Sequence, residues 1–270
     1  MRGRHITTAL ACTALLCLFT ILGCSNDETS PSTGTVAIHM TDAPAVEGVD
    51  AVNLNIIGVS IKASGDESDQ GWEVLRADSM NVDLLHLQNG VFTTLATGRV
   101  AAGTYEQVRL KLGEGSTIVV NGVTYPIKVP SGMQSGLKLV GPFTVPGGGG
   151  VDVALDFDAS RSIILTGSGT YILKPVVHVM AMSQAGSIKG RVLPTDVATN
   201  VYAMMATDTL GTALTGVDGQ FQISVLSAGT YQVLFDPPDA YRDTTLTNVV
   251  VTAGHQTDVG DVSLTANPNP

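Results

Sequence analysis

Apolar and polar residues alternate with a period of two through most of this chain, the pattern of half-buried strands rather than of amphipathic helices. The opening run from Ile6 to Leu22 is the exception, being apolar without alternation. From Thr35 onward, Val36, Ile38 and Met40 alternate with Ala37, His39 and Thr41, which predicts a strand that Asp42-Ala43-Pro44 stops. Val52, Leu54 and Ile56 form the next apolar face, and the phase then passes to Ile57, Val59 and Ile61. A β-bulge near Gly58 accounts for such a slip. Further strands are predicted at Trp72 to Arg76 and at Val82 to Leu87, and the clearest alternation sets Val108, Leu110 and Leu112 against Gln107, Arg109 and Lys111. Asn121-Gly122, between Ile118-Val119-Val120 and Val123 to Val129, is a two-residue hairpin signal. Val151, Val153, Leu155 and Phe157 face a core opposite Asp152, Asp156 and Asp158, and a last strand runs through Tyr171, Leu173 and Val177 to Met180.

After the small, polar break Ser183-Gln184-Ala185-Gly186 the alternation resumes in shorter phrases. These are Ile188 to Val192, Thr215 to Phe221 around the turn Asp218-Gly219, Ala228 to Tyr231, and Val249 to Gly254. The fold expected is all-β: two β-sandwich domains in tandem, residues 34–182 and 187–264, with 265–270 as a tail. Ala-Gly-Thr-Tyr occurs at 102–105 and again at 228–231, each time opening an alternating strand, and predicts a shared strand start with a packed tyrosine.

The apolar opening reads as a targeting segment. Arg2 and Arg4 form a basic start, Ile6 to Leu22 is uncharged, and small Gly23 precedes the cleavage point of a signal peptide, residues 1–23. Ile21-Leu22-Gly23-Cys24 resembles the lipobox of bacterial lipoproteins, which implies a diacylglycerol on the Cys24 thiol. The alternative is a retained helix, but the segment is barely long enough to cross a bilayer and contains Thr7, Thr8, Thr13 and Thr20. One acyl chain anchors marginally at roughly 0.8 kcal/mol per methylene, so the two or three chains of that pattern would hold the protein. Cys12 and Cys17 lie inside the signal segment, which leaves the mature chain one cysteine and hence neither a disulfide nor a catalytic thiolate. Residues 24–33 have the composition of a flexible tether. Ser25 after the cysteine resembles the sorting context of outer-membrane lipoproteins, and Asp27 and Glu28 resemble acidic tracts of surface-displayed ones.

Charge narrows the partners. There are 14 Lys and Arg against 24 Asp and Glu, so nucleic acid and anionic headgroups are poor partners and the membrane would be reached only through the lipid. The 30 glycines, few lysines and frequent Val and Thr favour short strands and turns over helix.

Six phrases in order carry a family resemblance: Asp42-Ala43-Pro44, Asp83-Leu84-Leu85, Gly103-Thr104-Tyr105, Pro130-Ser131-Gly132 with Gln134 to Lys138, Leu155-Asp156-Phe157-Asp158 and Leu173-Lys174-Pro175. Together they resemble the DUF4382 family of bacterial envelope lipoproteins over about residues 34 to 180. The resemblance implies a β-sandwich on a lipid tether and names no ligand. The later phrases, over 187–264, resemble the carboxypeptidase regulatory-like domain, a transthyretin-like sandwich grouped with carbohydrate-binding-like folds. That likeness transfers fold better than function.

Catalytic patterns are missing from the sequence: there is no Gly-x-Ser-x-Gly elbow, His-Glu-x-x-His, phosphate loop or Cys-x-x-Cys. Gly147 to Gly150 lacks a strand-to-helix setting and predicts a flexible hairpin. His39, His86, His178 and His255 fall on separate segments. Asp66-x-Ser68-x-Gln70-Gly71 begins like a calcium loop, yet Ala77 stands where a bidentate Glu is required, so a turn is expected. The metal candidates are Asp42 with Asp156 and Asp158, the latter two projecting from one strand face, an oxygen-rich set of the kind calcium takes. Against this stands the usual work of aspartate at turns, accepting backbone N–H groups. Otherwise no cofactor is expected.

The reading is a non-enzymatic, lipid-anchored protein of the bacterial cell envelope, at the outer membrane and facing periplasm or surface, serving binding, adhesion or structure. Its partner would be a glycan or a protein. The alternative is carbohydrate binding by the second sandwich, with Tyr202, Tyr231 and Tyr241 as the available rings. A glycan hydrolase is a remote third, since paired acids are present but only Trp72 supplies a tryptophan.

Overall fold

The computed structural model describes residues 32–43, 48–68, 70–130 and 135–268. The lipobox, Cys24, most of the tether, Pro44 and the phrase Ser131 to Gln134 lie outside the described residues.

The first sandwich contains β1 (Thr33–Ala43), β2 (Val49–Ala63), β3 (Trp72–Arg76), β4 (Met80–Asp83), β5 (Thr93–Ala101), β6 (Gly103–Leu112), β7 (Thr117–Val120) and β8 (Val123–Lys128). It continues with β9 (Leu137–Val145), β10 (Gly150–Asp158), the one-turn helix α1 (Ala159–Ser162), β11 (Ile163–Leu165), β12 (Tyr171–Leu173) and β13 (Val177–Ala181). One sheet has the order β13-β10-β1-β5, with β1 and β10 parallel; the other runs β11-β12-β8-β7-β2-β6-β9, with β3 and β4 also paired to β2. Val36, Ile38 and Met40 from one sheet and Val52, Leu54, Val108 and Leu110 from the other close a single core.

The alternation places most of these strands correctly. The ladder between β2 and β6 shifts between Ile56 and Gly58, so a bulge does carry the phase change, and it leaves Ile57 exposed rather than on the second apolar face. Asn121 and Gly122 both have positive φ, 49° and 74°, the geometry of a type I′ turn joining β7 to β8.

Three expectations need correction. The strand predicted from Val82 to Leu87 ends at Asp83, whose Oδ1 accepts the N–H groups of Leu85 and Val52 and so caps a 3₁₀ turn, Leu84–Leu87. The strand predicted from Tyr171 to Met180 is two strands in different sheets. Pro175 has no N–H to continue a ladder, and the Lys174 and Val176 N–H groups go instead to the carbonyl and hydroxyl of Ser162, each at 2.8 Å. Gly147 to Gly150 is a corner between sheets rather than a hairpin: Gly148 N–H donates to Thr33 O and Thr35 N–H to Gly149 O. The backbones meet so closely that a Cβ on Gly34 would lie 2.3 Å from the Pro146 carbonyl oxygen.

The second sandwich contains β14 (Gly186–Leu193), β15 (Asn200–Met205), β16 (Asp208–Leu214), β17 (Gln220–Leu226), β18 (Gly229–Asp236), β19 (Tyr241–Arg242), β20 (Thr244–Val251), β21 (Gln256–Ser263) and β22 (Thr265–Ala266). Its sheets run β17-β14-β21 and β16-β15-β18-β20. Residues 265–266 are not a free tail, because β22 pairs with β19 and Asn267 N–H donates to Ala240 O. A separate core of Ile188, Val192, Val201, Phe221, Tyr231, Val233 and Phe235 fills this sandwich, with Phe221 and Phe235 edge to face at 5.5 Å.

The repeated Ala-Gly-Thr-Tyr makes the same device in both sandwiches. Tyr105 and Tyr231 are buried, and each hydroxyl donates to the carbonyl oxygen four residues upstream, Ala101 at 2.9 Å and Ser227 at 2.8 Å. The ring joins the core while the hydroxyl pins the turn before its strand, as in a tyrosine corner. Tyr231→Phe leaves the Ser227 carbonyl without its donor and is expected to cost about 1–3 kcal/mol, read from the urea midpoint.

Candidate functional site

The two sandwiches meet where β16 and β17, edge strands of the second sandwich's two sheets, would otherwise present unpaired backbone groups. Asn89, just after the 3₁₀ turn and at φ 55°, covers both: its Nδ2 donates to Leu214 O at 3.1 Å and its Oδ1 accepts Gln222 N–H at 3.2 Å. Gly90 follows at φ 81°, and a Cβ there would fall 2.3 Å from Gln222 Nε2. Arg161 Nη1 adds a long bond to Thr209 O at 3.5 Å. A small cavity of about 220 Å³ remains between the sandwiches, touched by Phe92, Ala154, Gln222 and Val225. Asn89→Ala removes both side-chain bonds while leaving φ positive, so a loss of about 2–3 kcal/mol is expected in urea denaturation; Asn89→Asp, which keeps an acceptor for Gln222 N–H, should lose less.

Beside this junction lies a cleft of about 540 Å³, on the outer face of β17-β14-β21 with Asn89 on its rim. Strand alternation puts Lys189 and Arg191 outward, between Ile188 and Val192 in the core. Arg191 is bidentate to Asp261, Nε at 3.1 Å and Nη2 at 2.9 Å, and Lys189 Nζ lies 3.6 Å from Asp258. The bond from Arg191 holds the Asp261 carboxyl below the usual range, and Asp261 in turn raises the guanidinium. Gln220 Nε2 donates to Asp218 Oδ2 at 2.7 Å, and Gln222 completes a lining of mixed donors and acceptors. Phe221 lines the floor of the cleft but belongs to the core beneath it, so little of the residue reaches the surface.

The rings expected for sugar stacking are not gathered there. Tyr231 belongs to the core and Tyr202 is half-buried, its phenol pushed up by burial and by Asp236. Tyr241 is half-buried on β19, and none of the three lines the cleft.

The three candidate metal aspartates converge less than expected. In the parallel register Asp42 pairs with Phe157 and shares its core-facing side, whereas Asp156 and Asp158 pair with Thr41 and Ala43 on the opposite face. Asp158 Oδ1 accepts Arg161 N–H at 2.9 Å and the Ser160 hydroxyl at 2.7 Å, capping α1. Asp42 Oδ1 accepts Ala159 N–H at 3.1 Å and its Oδ2 is buried without a partner. Asp42 and Asp158 thus hold turn N–H groups, the alternative role the sequence offered. Among the described residues no group of three His, Cys, Asp or Glu side chains could hold a metal ion. Burial drives the Asp42 carboxyl well above its ordinary range, and burial together with the Asp158 charge pushes Asp156 up to about 7.

The remaining motifs settle quietly. Asp66 Oδ1 accepts the Ser68 N–H and hydroxyl, a turn as expected. His39 contacts Asp152 and Thr94, His255 contacts Ala253 O, and His86 and His178 are exposed on their own elements. Asn89 was not singled out from the sequence; its only signal is an Asn-Gly dipeptide, which specifies a turn and not what the turn touches.

Comparison with known proteins yields a family and no function. No curated protein matches the chain. Solved structures include a type II cohesin–X-dockerin complex from Acetivibrio cellulolyticus, 22% identical over 30% of this chain and 57% of that one, TM-score 0.25. The chain therefore spans little more than half of that match. The TIE protein of Bacillus anthracis is 11% identical over 87% of this chain and 34% of its own, TM-score 0.23. The minor pilin GBS52 of Streptococcus agalactiae is 10% identical over 87% and 98%, TM-score 0.22. Such low scores transfer nothing about function. The family model described as a domain of unknown function, DUF4382, matches residues 33–175, more than half of the sequence. That stretch is the first sandwich from its opening strand to Pro175, so the chain belongs to the DUF4382 family.

Proposed function

We propose that this protein is a non-catalytic binding or structural module of the bacterial cell envelope, held to a membrane by lipid on Cys24. The observation that carries the binding reading is the polar cleft beside the junction, where carboxylates, cations and amides line the outer face of β17-β14-β21 with Asn89 of the first sandwich on the rim. Its acids are engaged with Arg191, Lys189 and Gln220, which leaves no free pair flanking a bond to be hydrolysed and speaks for recognition over catalysis. The glycan alternative is favoured by the same lining, since adjacent donors and acceptors suit the hydroxyls of a neutral saccharide. It lacks the stacking ring such sites ordinarily use.

Lipid anchoring rests on the Ile21 to Cys24 phrase, and the outer membrane, facing periplasm or surface, is the location it favours. Cys24→Ser is expected to abolish partition into the detergent phase; equal partition of both forms with the signal segment retained would favour an uncleaved helix. For binding, a glycan array probed with the soluble 25–270 fragment should give hits that Arg191→Ala removes. Hits that survive Arg191→Ala would move the site elsewhere, and a blank array would leave protein adhesion as the better reading.

A further inference from the structure

Three polar side chains stand in a row on the outer face of the sheet β13-β10-β1-β5: Asp152 on β10, His39 on β1 and Thr94 on β5. Their neighbours Val153, Ile38 and Leu95 belong to the core, and alternation turns these three the other way. The register of β1 with β5 shifts between Ile38 and His39, a bulge that sets Thr94 opposite His39. Both ring nitrogens are then engaged: Nε2 lies 3.0 Å from Asp152 Oδ1, and Nδ1 lies 3.1 Å from Thr94 Oγ1. A carboxylate has no proton to give, so Nε2 carries the hydrogen and donates it to Asp152. Nδ1 is left to accept the Thr94 hydroxyl.

A hydroxyl on a base that a carboxylate holds in one tautomer is the arrangement that activates an oxygen nucleophile. Stability does not ask for it. The Asp152 side chain is 64% exposed and Thr94 is exposed, so water would satisfy both, and exposed ion pairs stabilise little. Beside the row lies the cavity of about 220 Å³ between the sandwiches. Ala154, the register partner of His39, lines it, as does Phe92, two residues before Thr94. Ordinary ligand pockets hold roughly 300–1,000 Å³, so this space suits a short acyl group and little more.

We propose that Thr94 is a covalent acceptor site, acylated on its hydroxyl by small activated carboxylic esters with His39 as the base. Thr94 Oγ1 bonds to the acyl carbon while its proton passes to His39 Nδ1. The bond from the acyl carbon to the leaving oxygen breaks, and that oxygen departs with the proton as an alcohol; nothing is oxidised or reduced. Asp152 is a positioning residue, fixing the tautomer that leaves Nδ1 free to take the proton. One acyl group is taken up per chain, which gives a non-catalytic module a covalent attachment point. None of the three residues lines the polar cleft, so the site is independent of the binding reading.

The test treats the full chain with p-nitrophenyl acetate and maps the acetyl groups by peptide mass spectrometry. Acetylation of Thr94 is expected to approach one group per chain, to vanish in Thr94→Val, which keeps the shape without the hydroxyl, and to persist in Thr94→Ser. His39→Gln should slow it by about a hundredfold, the low end of general-base contributions, with the melting midpoint unchanged. Imidazole nitrogen NMR shifts should place the His39 proton on Nε2, and Asp152→Asn should both slow acetylation and release that tautomer. An unchanged rate and tautomer in Asp152→Asn would overturn its positioning role. Acetyl groups on lysines with none on Thr94 overturn the proposal, as does an equal rate at Thr94 in His39→Gln. Nitrophenol released well beyond one equivalent per chain, and lost in Thr94→Val, overturns the single transfer in favour of an esterase. The wild-type map decides even where a variant fails to fold.

Discussion

Phe235→Ala is expected to unfold the second sandwich while the first melts as before. Phe235 is fully buried, packs edge to face on Phe221, and belongs to a core that shares no residue with that of the first sandwich. Truncating a buried phenylalanine costs about 3–5 kcal/mol, against a total stability of about 5–15 kcal/mol for a typical domain. Two separate cores joined through a side-chain clamp and a short turn should respond separately, with Ala185 and Gly254 the hinge-side hydrogen-bond partners. Calorimetry of the variant should show a low-temperature transition for residues 187–264 and an unshifted one for 34–182. A single transition that moves as a whole would mean that docking makes the two sandwiches one cooperative unit.

Stability is also expected to decline as pH rises from about 4 to about 7, the reverse of the usual acid denaturation. Asp156 has its carboxyl raised from 3.8 to about 7 in the fold, first by burial and then by Asp158. Below both values folded and unfolded chains alike hold the proton, and the contribution is complete. Between them the unfolded chain releases its proton and the folded chain does not, so stability falls by about 1.4 kcal/mol per pH unit, about 4 kcal/mol in all, and levels off above 7. Asp42, also raised by burial, adds to the same slope. Asp66 and Asp261, held low by Ser68 and Arg191, act in the opposite sense and only at more acid pH. Urea midpoints at half-unit steps measure this directly. Asp156→Asn, which cannot ionise, should flatten most of the slope; an equal slope in the variant would place the effect elsewhere.

Period-two alternation determined the all-β class and the bulge at Gly58, and short local phrases determined the Asn121-Gly122 turn and the paired tyrosines. These are local: a strand's inward face, a turn's positive φ and a hydroxyl reaching four residues back are all encoded within a few positions. The DUF4382 phrases were legible for the same reason, as turns and strand ends with fixed short spacing. Long-range partners were not. Whether Tyr171 to Met180 is one strand or two depends on Ser162, which takes the N–H groups on either side of Pro175. Tyr231 as core and not ring platform depends on the sheet packed over it.

The candidate site shows the division most plainly. From the sequence, Asp42, Asp156 and Asp158 are carboxylates at two strand ends, suited more to turn N–H groups than to a metal. Only the parallel pairing of β1 with β10 puts Asp42 on one face and the other two on the opposite one, and only the tertiary fold buries Asp156. Asn89 is an ordinary turn residue until β16 and β17 present their unpaired edges to it. Composition and period determine which residues are buried as classes, because burial of a strand face needs only alternation. Which polar groups meet inside is decided by tertiary contact, because each buried donor or acceptor must find its partner in space and sequence distance places no limit on where.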